Sequence, residues 1–112
     1  MNAEAVIQRQ LAAYNSRDLD RFLAEYSDAI RVFRLPATEP TIVGKAAFAE
    51  FYATQRFNRV GLHADVLGRM VLGNFVIDHE RITGVQEQPF EVAVAYQVVN
   101  GLIQCTWSFV AQ

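Results

Sequence analysis

The sequence predicts an α+β domain in which three helices from the N-terminal half pack on a strongly curved, mostly antiparallel mixed sheet of about six strands. Three features predict it: helix-period apolar spacing through the first half, long strand-like runs through the second, and an Asn-Gly step between the last two runs. With 112 residues the chain has room for one core, so residues 1–112 are read as a single domain enclosing one apolar pocket.

The first helix is expected from Ala3 to Asn15, where Val6, Ile7, Leu11 and Tyr14 form one stripe, Asn2 is placed to cap it and Glu4 sits in the first turn. Leu19, Phe22, Leu23 and Tyr26 repeat at i, i+3, i+4 and i+7 and predict a second helix beginning near Asp18. Ile30 to Leu35 alternates as a half-buried strand does. Pro36 and Pro40 bracket a turn into a short Thr41-Ile42-Val43 strand. Past Gly44, residues Ala47, Phe48, Phe51, Tyr52 and Gln55 trace a third helix that frays around Asn58.

Four strands follow, from Leu62 to Leu72, Phe75 to Thr83, Phe90 to Val99 and Leu102 to Ala111. Asn100-Gly101 suits a type I′ turn, because both residues accept positive φ, and it pairs the last two strands antiparallel. In the last strand Ile103, Cys105, Trp107 and Phe109 alternate with Gln104, Thr106 and Ser108. The apolar row is expected to face the core or pocket. The neutral polar row is expected on the solvent side or in a dimer, where charge would be costly.

Composition removes several classes of function. Ten Lys and Arg against twelve acids, scattered and with a net charge of −2, leave no basic stripe for nucleic acid. One cysteine, Cys105, makes neither an intramolecular disulfide nor a Cys-rich zinc site. The apolar stretches fall short of the ~20 residues a bilayer needs, and Met1 to Ala5 lacks the basic start of a secretion signal, so a cytoplasmic location is expected. No GxGxxG, Walker A, GxSxG, CxxC or HExxH pattern occurs, so the expectation is no cofactor and no metal.

Val6-Ile7-Gln8-Arg9, Ala12-Ala13, Asn15 and Asp18-Leu19-Asp20 resemble the opening of bacterial ketosteroid isomerases, and Glu39-Pro40, Gly44 and Phe51-Tyr52-Ala53 resemble their next segment. Beyond Asn58 the likeness lies in the strand pattern and the Asn-Gly turn. With the order of elements, this resembles the nuclear transport factor 2-like superfamily, which includes ketosteroid isomerases, SnoaL-like polyketide cyclases and related hydrolases and dehydratases. The resemblance implies a cystatin-like cone and a homodimer formed through the sheet. Ketosteroid isomerases use a helix-1 tyrosine and a protonated aspartate as an oxyanion hole, with an aspartate base. By position these fall on Gln10 (Tyr14 lying one turn later), on Val94 or Ala95, and on Phe33 or Arg34. None keeps the required group, and each such group typically supplies a factor of ~10² or more. The chain is therefore expected to share the fold and not the steroid isomerase activity.

Other residues are candidates for chemistry. Period two sends Asp78 and Glu80 to one face of their strand and His79 and Arg81 to the other, and only one face can line a pocket. The first pair would set two carboxylates about 7 Å apart for acid/base work; His79 would offer a base near neutral pH. The alternative is that both rows are salt-bridged or solvated, including pairing with Arg69 or Glu91. His63 shares a strand face with Asp65, which can orient its ring. Arg34, if inward, needs a carboxylate partner or an anionic ligand.

Asp78, Glu80, His63 and Arg34 are thus the catalytic candidates. Tyr14, Phe48, Phe51, Tyr52, Tyr96, Trp107 and Phe109 are the candidates for contact with a small hydrophobic organic ligand. The expected function is cofactor-independent acid/base chemistry on such a molecule. A noncatalytic binding module, or a dimer domain using Gln104, Thr106 and Ser108, is the alternative.

Overall fold

A computed structural model describes residues 2–111 and contains the nine expected elements. In chain order they are α1 (Ala3–Asn15), α2 (Leu19–Ala24), β1 (Tyr26–Arg34), β2 (Ile42–Val43), α3 (Lys45–Gln55), β3 (His63–Leu72), β4 (Phe75–Thr83), β5 (Phe90–Val99) and β6 (Leu102–Val110). The six strands form one sheet in the order β2-β1-β6-β5-β4-β3. Every pairing is antiparallel except β1 with β6, so the sheet is mixed, as expected.

Local chemistry accounts for the helix starts. The Asn2 side chain accepts from the Ala5 amide at 3.3 Å, and Asp18 does the same for Arg21 at 3.2 Å, each satisfying a donor that the first helical turn leaves free. Asn15 both donates to the Ala64 carbonyl (3.0 Å) and accepts from its amide (2.7 Å), which ties the end of α1 to β3. Tyr26, read from its spacing as the last residue of the second helix, instead opens β1 four residues before the expected strand start. Its ring still packs where a helical residue would have sent it, against Phe22 and Phe48 with centroids 4.9 and 4.5 Å apart.

Two β-bulges decide which side chains face inward. In β3 the register skips at Leu67: Val66 pairs with Glu80 and Gly68 with His79. Simple alternation places Arg69 on the outer face with His63 and Asp65; the extra residue turns it inward, opposite Asp78. In β6 the register skips at Gln104: Val98 pairs with Ile103 and Gln97 with Cys105. Ile103 is fully buried, and beyond the bulge it is Thr106 and Ser108 that share the inner face with Val94 and Tyr96.

This overturns the expected direction of the last strand. Cys105 and Trp107 lie on the outer face, where Trp107 stacks on Phe33 (5.8 Å) and packs against Phe75 (6.2 Å). Thr106 is buried, so the neutral polar row is not a surface for a partner.

The core lies between the inner sheet face and the helices, built on Val6, Ile7, Phe22, Ile30, Phe48, Val76 and Ile103. Each such aliphatic or aromatic side chain contributes about 2 kcal/mol by leaving water. Among the described residues no helix is long and apolar enough to cross a membrane.

Candidate active site

The inner sheet face and the helices enclose a cavity of about 780 Å³, within the range of small-molecule sites. β4 contributes Glu80 and Ile82, β5 Val92, Val94 and Tyr96, and β6 Thr106 and Ser108; α1 adds Gln10 and Tyr14, and α3 Phe48, Phe51 and Tyr52. Arg34, at the end of β1, and Arg56, just past α3, also line it. Glu80, Arg34 and Arg56 are the charged residues of the lining.

Glu80 is 5% exposed and ends a directed hydrogen-bond chain. The Tyr26 hydroxyl donates to Gln10 Oε1 (2.9 Å), Gln10 Nε2 donates to the Tyr96 oxygen (3.4 Å), and the Tyr96 hydroxyl donates to Glu80 Oε2 (3.2 Å). No buried side-chain polar atom lacks a partner among the described residues, so Glu80 Oε1, which has none, is open to the cavity. Burial, then the nearby Asp78 charge, raise the Glu80 pKa from 4.5 to about 7; the Tyr96 bond and Arg69 pull the other way and are outweighed. The phenols of Tyr14 and Tyr52 line the cavity with no hydrogen-bond partner among the described residues, and burial raises both pKa values, so both are donors at neutral pH.

The four catalytic candidates separate. Glu80 and Arg34 reach the cavity. Asp78 faces inward and is wholly buried, but both its oxygens are held by Arg69, from Nε at 2.7 Å and from the Nη2 amine at 2.9 Å, with Arg69 also reaching Gln8 (3.0 Å) and Glu4 (3.7 Å). It does not line the cavity and is a structural ion pair. His63 is on the outer side, exposed and bonded to Asp65 at 3.0 Å, away from any reacting group. His79, also outward, pairs with Glu91. The alternative kept for the β4 cluster, pairing with Arg69 and Glu91, therefore holds for Asp78 and His79, and acid/base potential is left with Glu80.

Of the ligand-contact candidates, Tyr14, Phe48, Phe51, Tyr52 and Tyr96 line the cavity, and Phe109 borders it while 56% exposed. Trp107 does not, because the Gln104 bulge turns it outward. Gln10 was missed as a site residue, although the family likeness pointed to its position; a polar residue on the buried stripe of an amphipathic helix was the available signal.

An open six-stranded sheet wrapped over three helices, with an acid deep in an apolar cavity, defines a cone-shaped α+β pocket domain. A profile for the SnoaL-like domain matches residues 7–105, and the chain belongs to that family. Solved structures agree on the fold. A candidate ketosteroid isomerase from Kribbella flavida superposes with a TM-score of 0.84 at 19% identity, covering 98% of this chain and 78% of that one. An M. tuberculosis LEH-like epoxide hydrolase gives 0.82 at 18%, covering 97% and 82%. An uncharacterized cystatin-fold protein from Novosphingobium aromaticivorans gives 0.78 at 18%, covering 96% and 97%. No curated protein sequence matches this one closely enough to count as a relative.

Proposed function

We propose that the cavity binds a small hydrophobic molecule and that Glu80 performs cofactor-independent acid/base chemistry on it. The observation that carries this is a carboxyl group held near neutrality, in pKa about 7, with one oxygen anchored by Tyr96 and the other facing the cavity. Near its pKa, Glu80 exists in both forms: protonated, it donates to a carbonyl, epoxide or leaving oxygen; ionised, it accepts a proton from carbon or water. Tyr14 and Tyr52 supply donors where negative charge develops on oxygen, and the directed chain from Tyr26 steadies the ionised form. This fits an isomerase, cyclase, hydrolase or dehydratase.

Steroid isomerisation by the family's constellation is not part of the proposal. At the position of its base, Phe33 points to the outer face and Arg34 carries the opposite charge, and Val94 is apolar where a protonated aspartate is needed. The neighbouring epoxide hydrolase and ketosteroid isomerase structures are consistent with the broad reaction class.

Carboxyl-carbon NMR titration, with the Glu80 signal assigned by its loss in Glu80→Gln, is the direct test. A midpoint near 7 is expected, and a midpoint at the ordinary glutamate value sinks the acid/base role. A panel of epoxides, esters and enolisable ketones followed in deuterated water then separates enzyme from binding module: turnover lost in Glu80→Gln supports the enzyme, and saturable binding without turnover supports the module.

The outer face favours a second copy of this chain as partner. Phe33, Phe75 and Trp107 form a half-buried aromatic cluster on this face, with the Arg31 guanidinium over the Phe33 ring at 5.5 Å, that a second copy would cover. Sedimentation at micromolar concentration reads this directly, and a monomer refutes it.

A further inference from the structure

Glu80 lies deep and Arg34 lies at the exposed end of β1, so the cavity has a polar gradient along its length. Both Arg34 and Arg56 bring their guanidinium carbons over the ring of Phe51, at 4.8 and 5.0 Å from its centroid. Two cations thus share one aromatic ring. Neither forms an ion pair among the described residues, and Arg56 donates from Nη1 to the Gln55 carbonyl at 2.9 Å. The field of both guanidiniums reaches the Tyr52 phenol, that of Arg56 also reaches Tyr14, and the Glu80 charge acts on both phenols. In a chain of net charge −2, the one acid of the lining is the deep Glu80, and two arginines border the same space.

Each guanidinium rests on the ring face by a cation–π contact and carries no carboxylate partner, which leaves both charges available to an anion. The aromatic and aliphatic wall behind them suits an apolar body. We propose that Arg34 and Arg56, spaced by Phe51, form a clamp for the carboxylate of an apolar organic acid, whose other end is presented to Glu80. The clamp fixes which end enters first: an acid bound this way keeps its charge away from the Glu80 carboxyl and places its uncharged, reactive part against Glu80 Oε1. Arg56 is therefore a specificity residue, and Arg34 acts on the ligand's charge rather than on the reacting atoms. This rests on the cavity being the ligand site and adds the chemical class of the ligand.

The test uses a matched pair of probes, 2-naphthoate and 2-naphthamide, which differ in charge and scarcely in shape, titrated calorimetrically at neutral pH. The acid is expected to bind about tenfold more tightly than the amide, as a charge-assisted bond to guanidinium gives. Arg34→Gln and Arg56→Gln should each weaken the acid by roughly three- to tenfold and leave the amide unchanged, so that amide binding reports an intact fold. Added salt should weaken the acid alone. Equal affinity for acid and amide, or a preference that survives loss of both arginines, overturns the clamp while leaving the Glu80 reading intact. A Glu80→Gln protein with undiminished turnover and a retained acid preference does the reverse. Failure of both probes to bind overturns the clamp together with the cavity as ligand site.

Discussion

Replacing Glu80 by glutamine should make the protein more stable at neutral pH and should abolish one component of its pH dependence. In the folded chain the Glu80 proton is held to about pH 7, whereas in the unfolded chain it leaves near 4.5. Below the lower value the carboxyl is protonated in both states and has no effect. Between the two the unfolded chain sheds its proton and the folded chain keeps it, so stability falls as pH rises through this window and is level above it. At ~1.4 kcal/mol per pH unit, the interval between 4.5 and about 7 amounts to about 3 kcal/mol. Glutamine keeps the acceptor for Tyr96 and has nothing to ionise. Urea denaturation of both proteins at half-unit pH steps measures the difference, in which contributions common to both cancel. The gap should widen by about 3 kcal/mol in favour of the variant from acid to neutral pH. A gap that stays constant would mean that Glu80 titrates like an exposed glutamate, and the acid/base proposal would lose its basis.

Other substitutions separate chemistry from architecture. Asp78→Asn should cost about 3 kcal/mol in denaturation, because it removes the charge that faces the Arg69 guanidinium under α1 and one of the two short bonds to it, and any turnover measured on the remaining folded protein should persist. His63→Gln should leave turnover of any substrate found in the panel within twofold or so, since the ring lies outside the cavity. Gly84→Ala should destabilise by at least ~2 kcal/mol: φ is +87° there, and an added Cβ would lie 2.3 Å from the Gly61 backbone, so neither torsion nor space admits it. Trp107→Glu should convert a dimer to monomer in sedimentation while preserving naphthamide binding, because the residue faces away from the cavity.

Much of the fold was legible because it rests on local signals. The bounds of α1, β4 and β5 follow directly from caps, spacing and turn residues, and Asn100, with φ of +51°, opens the turn that pairs β5 with β6. Tyr26 was misplaced because its spacing fits a helix and a ring at a helix-strand junction buries equally well from either side. The site was legible only in part, for a similar reason. Alternation along β4 correctly set Asp78 and Glu80 against His79 and Arg81, but it carries no information about which carboxylate meets a cation. That was decided by the skip at Leu67, which no residue type announces and which brings Arg69 to Asp78 and leaves Glu80 alone. Gln10 stayed hidden because a buried amide finds its partners, Tyr26 and Tyr96, on strands 16 and 86 positions away.

The skip at Gln104 means that β6 carries two complete linings, one polar and one aromatic, separated by a single residue of frame. Deleting Gln104 without changing any other side chain would send Cys105 and Trp107 to the interior and bring Thr106 and Ser108 to the outside. An indole would replace hydroxyls within the cavity, and the outer cluster of Phe33 and Phe75 would lose its central ring at the same stroke. In a lineage of such domains, substrate preference and assembly are therefore able to change together through one deleted codon, a route that comparison of aligned positions does not reveal.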